Sequence, residues 1–334
     1  MTQPTRISFG FMFLLLVLVA AMGLATPLLT VLFSFFALNI FRWKGRSKNF
    51  AVAMLLVTVT AVCVGFVLFA TQAVVAAPQI AGQLIPRLHE TALKLGFELP
   101  FTDLQGLLTL IKGEVAERFG LVGLAGTTLL RQLAFVIIGM VVSISLFHNA
   151  TIVIDRDKHT VRNNLYSFTA DEIAKRFELF YKSFHTVMGA QIIISTINTF
   201  FTGIFLCVVD YHYWQLLIVV TFFCGLLPIL GNIISNTIIV CVGLTIDLQH
   251  AMGALAFLVV IHKLEYFLNS KIIGKRIENP MWMTLLGLII GERLMGVPGM
   301  ILAPVILHYV KSEASRVAVE HQAVEAAQSQ PSGS

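Results

Sequence analysis

Long hydrophobic runs without charges alternate with shorter polar stretches along the whole chain, and the runs have the length of bilayer crossings. The hydrocarbon core is about 30 Å thick, so a helix rising 1.5 Å per residue crosses it in about 20 apolar residues. Residues 7–25 fit one crossing, and 28–41 form a shorter second one after a break at Pro27. Residues 49–86 carry no charge and exceed one membrane thickness, which predicts a helix that tilts or projects into water beyond Pro78. Further spans are predicted at 133–154, 183–209 and 253–268.

Two runs in the C-terminal half are interrupted. Residues 211–246 hold no Asp, Glu, Lys or Arg and would reach about 54 Å as one helix, but Leu227-Pro228-Ile229-Leu230-Gly231-Asn232 lies in the middle and breaks them. Residues 280–310 are split by Gly291-Glu292-Arg293-Leu294-Met295-Gly296-Val297-Pro298-Gly299. Each block makes two short helices, as paired crossings or as a re-entrant hairpin, and connection parity fits both.

The polar stretches fix a provisional map: transmembrane helices in 1–78, an amphipathic extracytoplasmic helical insert at 79–131, and a span at 132–154. A cytoplasmic or interfacial insert follows at 155–184, then a broken-helix core at 185–311 and a flexible tail at 312–334. In the first insert Leu104, Leu107, Leu108, Ile111 and Val115 recur at helical spacing. In the second, Thr169-Ala170-Asp171-Glu172 has the spacing of a capping box. Ile173, Phe177, Phe180 and Phe184 follow on one face, predicted to meet lipid. Basic clusters at Arg42, Lys44, Arg46 and Lys48 and at Lys271, Lys275 and Arg276 predict cytoplasmic loops and place both termini in the cytoplasm.

Composition agrees with the pattern. Of 334 residues 57% are hydrophobic and 12% charged, against about 25% charged in soluble domains. So few charges cannot cover a water-facing surface, which excludes a soluble enzyme and a disordered chain. Continuous rather than alternating runs exclude a transmembrane β-barrel. The fold class is therefore all-α, a polytopic integral membrane protein of about seven or eight transmembrane helices, including broken or re-entrant segments. The net charge of +5 reflects loop bias, with no nucleic-acid partner expected. The four cysteines, Cys63, Cys207, Cys224 and Cys241, lie in apolar stretches and are expected to be buried hydrophobes without metal or disulfide roles. No GxSxG, HExxH or GxxxxGK[ST] element is present, so no enzyme and no cofactor is expected.

The candidate chemistry sits at the breaks. Interrupted membrane segments expose backbone that must be buried in protein or line a wet cavity, and they are the best sequence pointer to a transport site. Asn232 and Asn236, four apart, share a helix face and either coordinate a solute or join helices. Glu265, with His262 before it and Asn269 after it, is either the ionisable group of a pathway or an interfacial partner for Lys263, Lys271 or Arg293. Glu292 and Arg293 are read as a salt-bridged turn or as a gate. Asn198 is expected to be interhelical glue.

Several elements together resemble a known family. They are Gly225-Leu226-Leu227-Pro228-Ile229-Leu230-Gly231, the stretch from Leu264 and Glu265 to Lys271-Ile272-Ile273-Gly274-Lys275, Asn279-Pro280, and Gly296-Val297-Pro298-Gly299-Met300-Ile301-Leu302-Ala303-Pro304. With Gly189-Ala190-Gln191 and the region of Asp155-Arg156-Asp157, they are similar to the autoinducer-2 exporters, also called PerM-like permeases. One departure is Ser270, where the family pattern has proline before the lysine; it removes any expected kink there. The resemblance implies secondary transport without ATP across a bacterial inner membrane, and a homo-oligomer. The solute would be small and polar, an autoinducer-2-like signal, or the protein would exchange sodium for protons. From the residues alone, a scaffold recruiting partners through 79–131 and 155–184 is the competing reading. The partners expected are membrane lipid and a small polar solute or a cation, proton or sodium.

Overall fold

The structure is a computed structural model that describes residues 2–42, 45–94, 96–97, 122–149, 164–228, 230–268 and 280–316. These residues form nine helices and no strand: α1 (Gln3–Ala21), α2 (Ala25–Phe41), α3 (Lys48–Lys94), α4 (Val122–His148), α5 (Leu165–Val208), α6 (Trp214–Gly225), α7 (Leu230–Ile246), α8 (Leu248–Leu268) and α9 (Met281–Ala314). Five helices are long and apolar enough to cross a membrane, and α2, α6 and α7 are shorter apolar helices. The all-α polytopic class read from the hydrophobic runs is what the structure has.

The 47 residues of α3 include Pro78 and Pro86 and would span about 70 Å. The helix therefore leaves the bilayer thickness without ending. Leu104, Leu107, Leu108, Ile111 and Val115, the second basic cluster and the tail beyond residue 316 lie outside the described residues.

α5 corrects the reading of the second polar insert. The 44-residue helix starts at Leu165, where the Asn164 side chain accepts from the Ser167 N–H at 2.8 Å. Thr169 is already one turn inside, so the capping-box reading fails: asparagine caps as well as threonine and stands at the true chain entry. The aromatic face does not turn to lipid either. Phe180 and Phe184 are buried, while Phe177 stays exposed. The Phe180–Phe184 face of α5 packs on α1, α2 and α9. Two cysteines are also corrected, since Cys63 and Cys207 are exposed on the bundle surface.

Three apolar cores hold the bundle. One joins α1, α2, α5 and α9 through Met12, Leu29, Leu32, Phe184, Met188 and Leu302. A second joins α5 to α6, α7 and α8 through Leu206, Leu217, Val242 and Ala254. The third joins α2, α3 and α4 through Leu38, Leu55 and Phe147. α2 runs antiparallel to α5, with Phe33 against Phe184 and Asn39 against Tyr181. The start of α1, the end of α2, the start of α3 and the end of α9 thus share one end of the bundle with Arg42, Arg46, Lys48 and Arg176. This is called the basic end, and its opposite the far end.

Candidate functional site

α5 is the spine of the site. Arg176, Phe180, Phe184, Met188, Gln191, Ser195, Asn198, Thr202 and Leu206 are all buried and recur at three- and four-residue steps, so they form one face of the helix. Toward the basic end that face meets α9; toward the far end it meets α6.

α6 and α7 form a hairpin that enters from the far end. At its base, the Tyr213 hydroxyl donates to Gln79 Oε1 on α3 at 2.7 Å, and the Arg87 guanidinium donates to the Leu244 and Ile246 carbonyls at the end of α7. The twelve residues of α6 reach about 18 Å inward, less than a bilayer thickness. The chain then reverses through Pro228. The arms touch backbone to backbone: a Cβ at Gly231 would collide with the Cys224 carbonyl, so only glycine fits.

The last turn of α6 must satisfy its carbonyls in an apolar setting. Leu226 N–H bonds the Phe223 carbonyl and Leu227 N–H that of Cys224. The remaining two are taken by α5: Ser195 Oγ donates to the Phe222 carbonyl at 2.7 Å and Gln191 Nε2 to the Gly225 carbonyl at 2.6 Å.

α9 is a second hairpin, entering from the basic end. Its backbone leaves helical geometry at Gly296 (φ 64°, ψ −150°), a conformation open to glycine. The arms cross so closely that a Cβ on Gly299 would meet the Gly291 carbonyl, and Gly287 lies against Ala303 and Leu307. The second arm returns antiparallel to α5, with Tyr309 against Phe180 (ring centroids 5.4 Å) and Glu313 on Arg176 at 2.7 Å. Both contacts share one register, which carried 17 residues back from Glu313 puts Gly296 at about the level of Gln191. The α6–α7 tip, held by Gln191 itself, stands at that level too. Both interrupted blocks left open between crossings and hairpins are thus hairpins, entering from opposite ends and converging on one stretch of α5.

Most of the predicted site residues fall at or beside these two tips. Glu265 on α8 is buried, with Asn232 of the first turn of α7 in hydrogen-bonding reach and His262 Nδ1 at 3.9 Å. Asn236, one turn along from Asn232, is buried, and Pro228 and Gly231 make the turn itself. Pro298 and Gly299 belong to the other tip. Glu292 and Arg293 are both exposed there, and no ion pair joins the two among the described residues. Adjacent residues on a helix do not face one another. Asn269 lies outside the described residues.

Gln191 was named only as part of a family element, and Ser195, Arg176 and Glu313 were not singled out in the sequence. A signal existed for the first two, because Gln191, Ser195, Asn198 and Thr202 repeat at helical spacing in an otherwise apolar run. Asn198 is buried with its side-chain carbonyl oxygen unpaired among the described residues, which argues against a role limited to joining helices.

Helices in all the regular structure described, an apolar exterior and two opposed hairpins define a polytopic membrane protein built around broken helices. The chain belongs to the AI-2E transporter family, whose model, described as AI-2E family transporter, matches residues 7–316. It is also similar to a protein of Bacillus subtilis (strain 168) named "Putative transport protein YdbI", at 33% identity over 141 residues. That match takes in 40% of this chain and 38% of the Bacillus protein.

Proposed function

We propose that the protein is a secondary transporter that passes a small polar solute between its two opposed hairpin tips, with Glu265 as the ionisable group beside the route. The convergence of both tips on Gln191 carries this reading. Discontinuous helices near the bilayer midplane are where secondary transporters bind their substrates, and a carboxylate held inside a membrane bundle calls for a functional partner. Gln191, Asn232, Asn236 and Asn198 supply hydrogen-bonding groups at or near the level of Glu265, a lining suited to a hydroxylated solute. An autoinducer-2-like signal is the solute that the family points to. Sodium/proton exchange is the second reading, favoured by the Glu265–His262 pair. The basic end is assigned to the cytoplasm of a bacterial inner membrane by its arginines and lysines, with several copies assembled side by side in lipid.

Purified protein in liposomes tests this. Release of autoinducer-2, uptake of radioactive sodium and collapse of a pH gradient are compared with empty liposomes. Flux of the first kind supports the solute reading and coupled flux of the other two the exchange reading. Glu265→Gln should lower either by at least tenfold. If the wild type carries none of the three, the transport reading fails and the scaffold reading through 79–131 and 155–184 replaces it. If flux is present and unchanged in Glu265→Gln, only the carboxylate's role is lost.

A further inference from the structure

At the far end, outside the spanning segments, His250 occupies a position that the transport reading does not use. Its Nδ1 lies 2.7 Å from Asp247 Oδ1, and its Nε2 lies 3.2 Å from the carbonyl oxygen of Val209. Both ring nitrogens therefore face acceptors. A neutral imidazole carries one N–H, so whichever tautomer forms, a lone pair points at an oxygen. The imidazolium carries two and satisfies both. We propose that His250 is a proton-binding site whose occupancy clamps the end of α5 to the start of α8, across the base of the α6–α7 hairpin.

The surroundings make this contact a junction. Asp247 Oδ1 also accepts from the His250 backbone N–H at 2.7 Å, capping α8, so one carboxylate oxygen holds both the helix start and the ring. The Tyr211 hydroxyl, from the α5–α6 connection, donates to the His250 carbonyl at 2.8 Å, and its ring lies 5.8 Å from the imidazole. Burial, with the Asp247 charge adding to it, pushes the Tyr211 hydroxyl up to about 12, so it stays a donor throughout the working range. No side chain fits at Gly243, where a Cβ would meet the Tyr211 hydroxyl and the His250–Ala251 backbone. Arg87 approaches from α3 through the α7 carbonyls, and Asp210 and His212 of the α5–α6 connection are exposed. Among the described residues Asp247 is the one carboxylate paired with the ring. A neutral ring gives its single N–H to the Asp247 carboxylate, so protonation adds the Nε2–H bond to the Val209 carbonyl while keeping the Asp247 bond, and deprotonation costs the Val209 bond. The base of the hairpin is tied in mildly acidic surroundings and freed in alkaline ones, whether or not Glu265 carries flux.

Hydrogen exchange read by mass spectrometry on the purified full chain tests this, at pH 5.5 and pH 8 with intrinsic rates corrected. Peptides covering 206–213 and 247–253 should be about tenfold better protected at pH 5.5, the scale of one hydrogen bond to a charged group. A peptide near Lys175 at the basic end should not change. His250→Gln, which cannot titrate, should abolish the difference, and Asp247→Asn, which keeps the cap oxygen but not the charge, should reduce it. Equal corrected protection of the wild type at both pH values overturns the proposal, as does a full difference in His250→Gln. Should His250→Gln fail to fold, an undiminished difference in Asp247→Asn overturns it instead.

Discussion

The guanidinium of Arg176 and the carboxylate of Glu313 lie 2.7 Å apart with both side chains buried, so the end of the α9 hairpin is fastened to α5 by an ion pair shielded from water. Ser8 Oγ takes the Arg176 Nε–H at 2.7 Å, and the Phe9 ring lies 3.6 Å beneath the guanidinium, which adds α1 to the same junction.

Removing one member should hurt more than removing both. Breaking a buried pair strands the surviving charge at about 3–5 kcal/mol, whereas replacing both by apolar groups can be close to neutral. Arg176→Met and Glu313→Leu should each lower the thermal midpoint in detergent clearly, and the double variant should recover much of the loss. Half-exposed Glu172, 3.6 Å from Arg176, gives the guanidinium a second partner and makes Glu313→Leu the milder of the two. Midpoints that fall additively would show that the two charges act independently.

The hairpin crossing makes a prediction about glycine. Gly299→Ala places a methyl group against the Gly291 carbonyl, and the arms must part. Gly253→Ala, in α8 with no atom within 4 Å of the new carbon, should be neutral or stabilising by about 0.5–1 kcal/mol, since alanine has the better helix propensity. The two substitutions are chemically identical, and only Gly299→Ala should lower the thermal midpoint.

Much of this architecture is legible in the sequence because the bilayer imposes it. Residues 211–246 are too long and too uncharged for one helix, and Pro228 fixes where they fold back. Gly296 and Pro298 do the same for 280–310. What the sequence hides is which surfaces meet. Phe180 and Phe184 read as lipid-facing because a membrane helix is apolar on its lipid and protein sides alike, and hydrophobicity cannot tell them apart. Arg176 and Glu313 gave no signal as a pair, since a partner 137 residues away leaves no local spacing to detect. Glu265 and Asn232 were both visible as polar groups in apolar runs, but their meeting depends on how deep α7 and α8 turn.

Asp247 gives a pH dependence with a definite sign. The His250 backbone N–H, then its ring, hold the Asp247 carboxyl below the usual carboxylate range. A carboxylate lowered by folding contributes stability that is complete above its ordinary value of about 3.9 and disappears as pH falls through the lowered one. The advantage of the wild type over Asp247→Asn should therefore be constant at pH 5–6 and shrink steadily from about pH 4 downward. Thermal midpoints of both proteins across that range check it, and a gap that widens on acidification would reverse the assignment.

Gln191 offers the sharpest separation of structure from transport. Its amide donates to the Gly225 carbonyl, which has no helical partner among the described residues. Gln191→Leu keeps the side-chain volume close but strands that carbonyl, at about 1–3 kcal/mol. Ser195→Ala strands the Phe222 carbonyl in the same way, one turn farther from the tips. Both should lower the thermal midpoint by comparable amounts, because each removes one donor from one buried acceptor. Liposome flux should separate them: Gln191 stands where both hairpin tips converge, so Gln191→Leu should lose flux well beyond Ser195→Ala at matched stability. Gln191→Glu, protonated or not, keeps the shape of the side chain but changes its hydrogen-bonding at the tips, and should alter the solute concentration giving half-maximal flux. Equal flux in Gln191→Leu and Ser195→Ala would reduce Gln191 to a backbone cap and move the route away from α5.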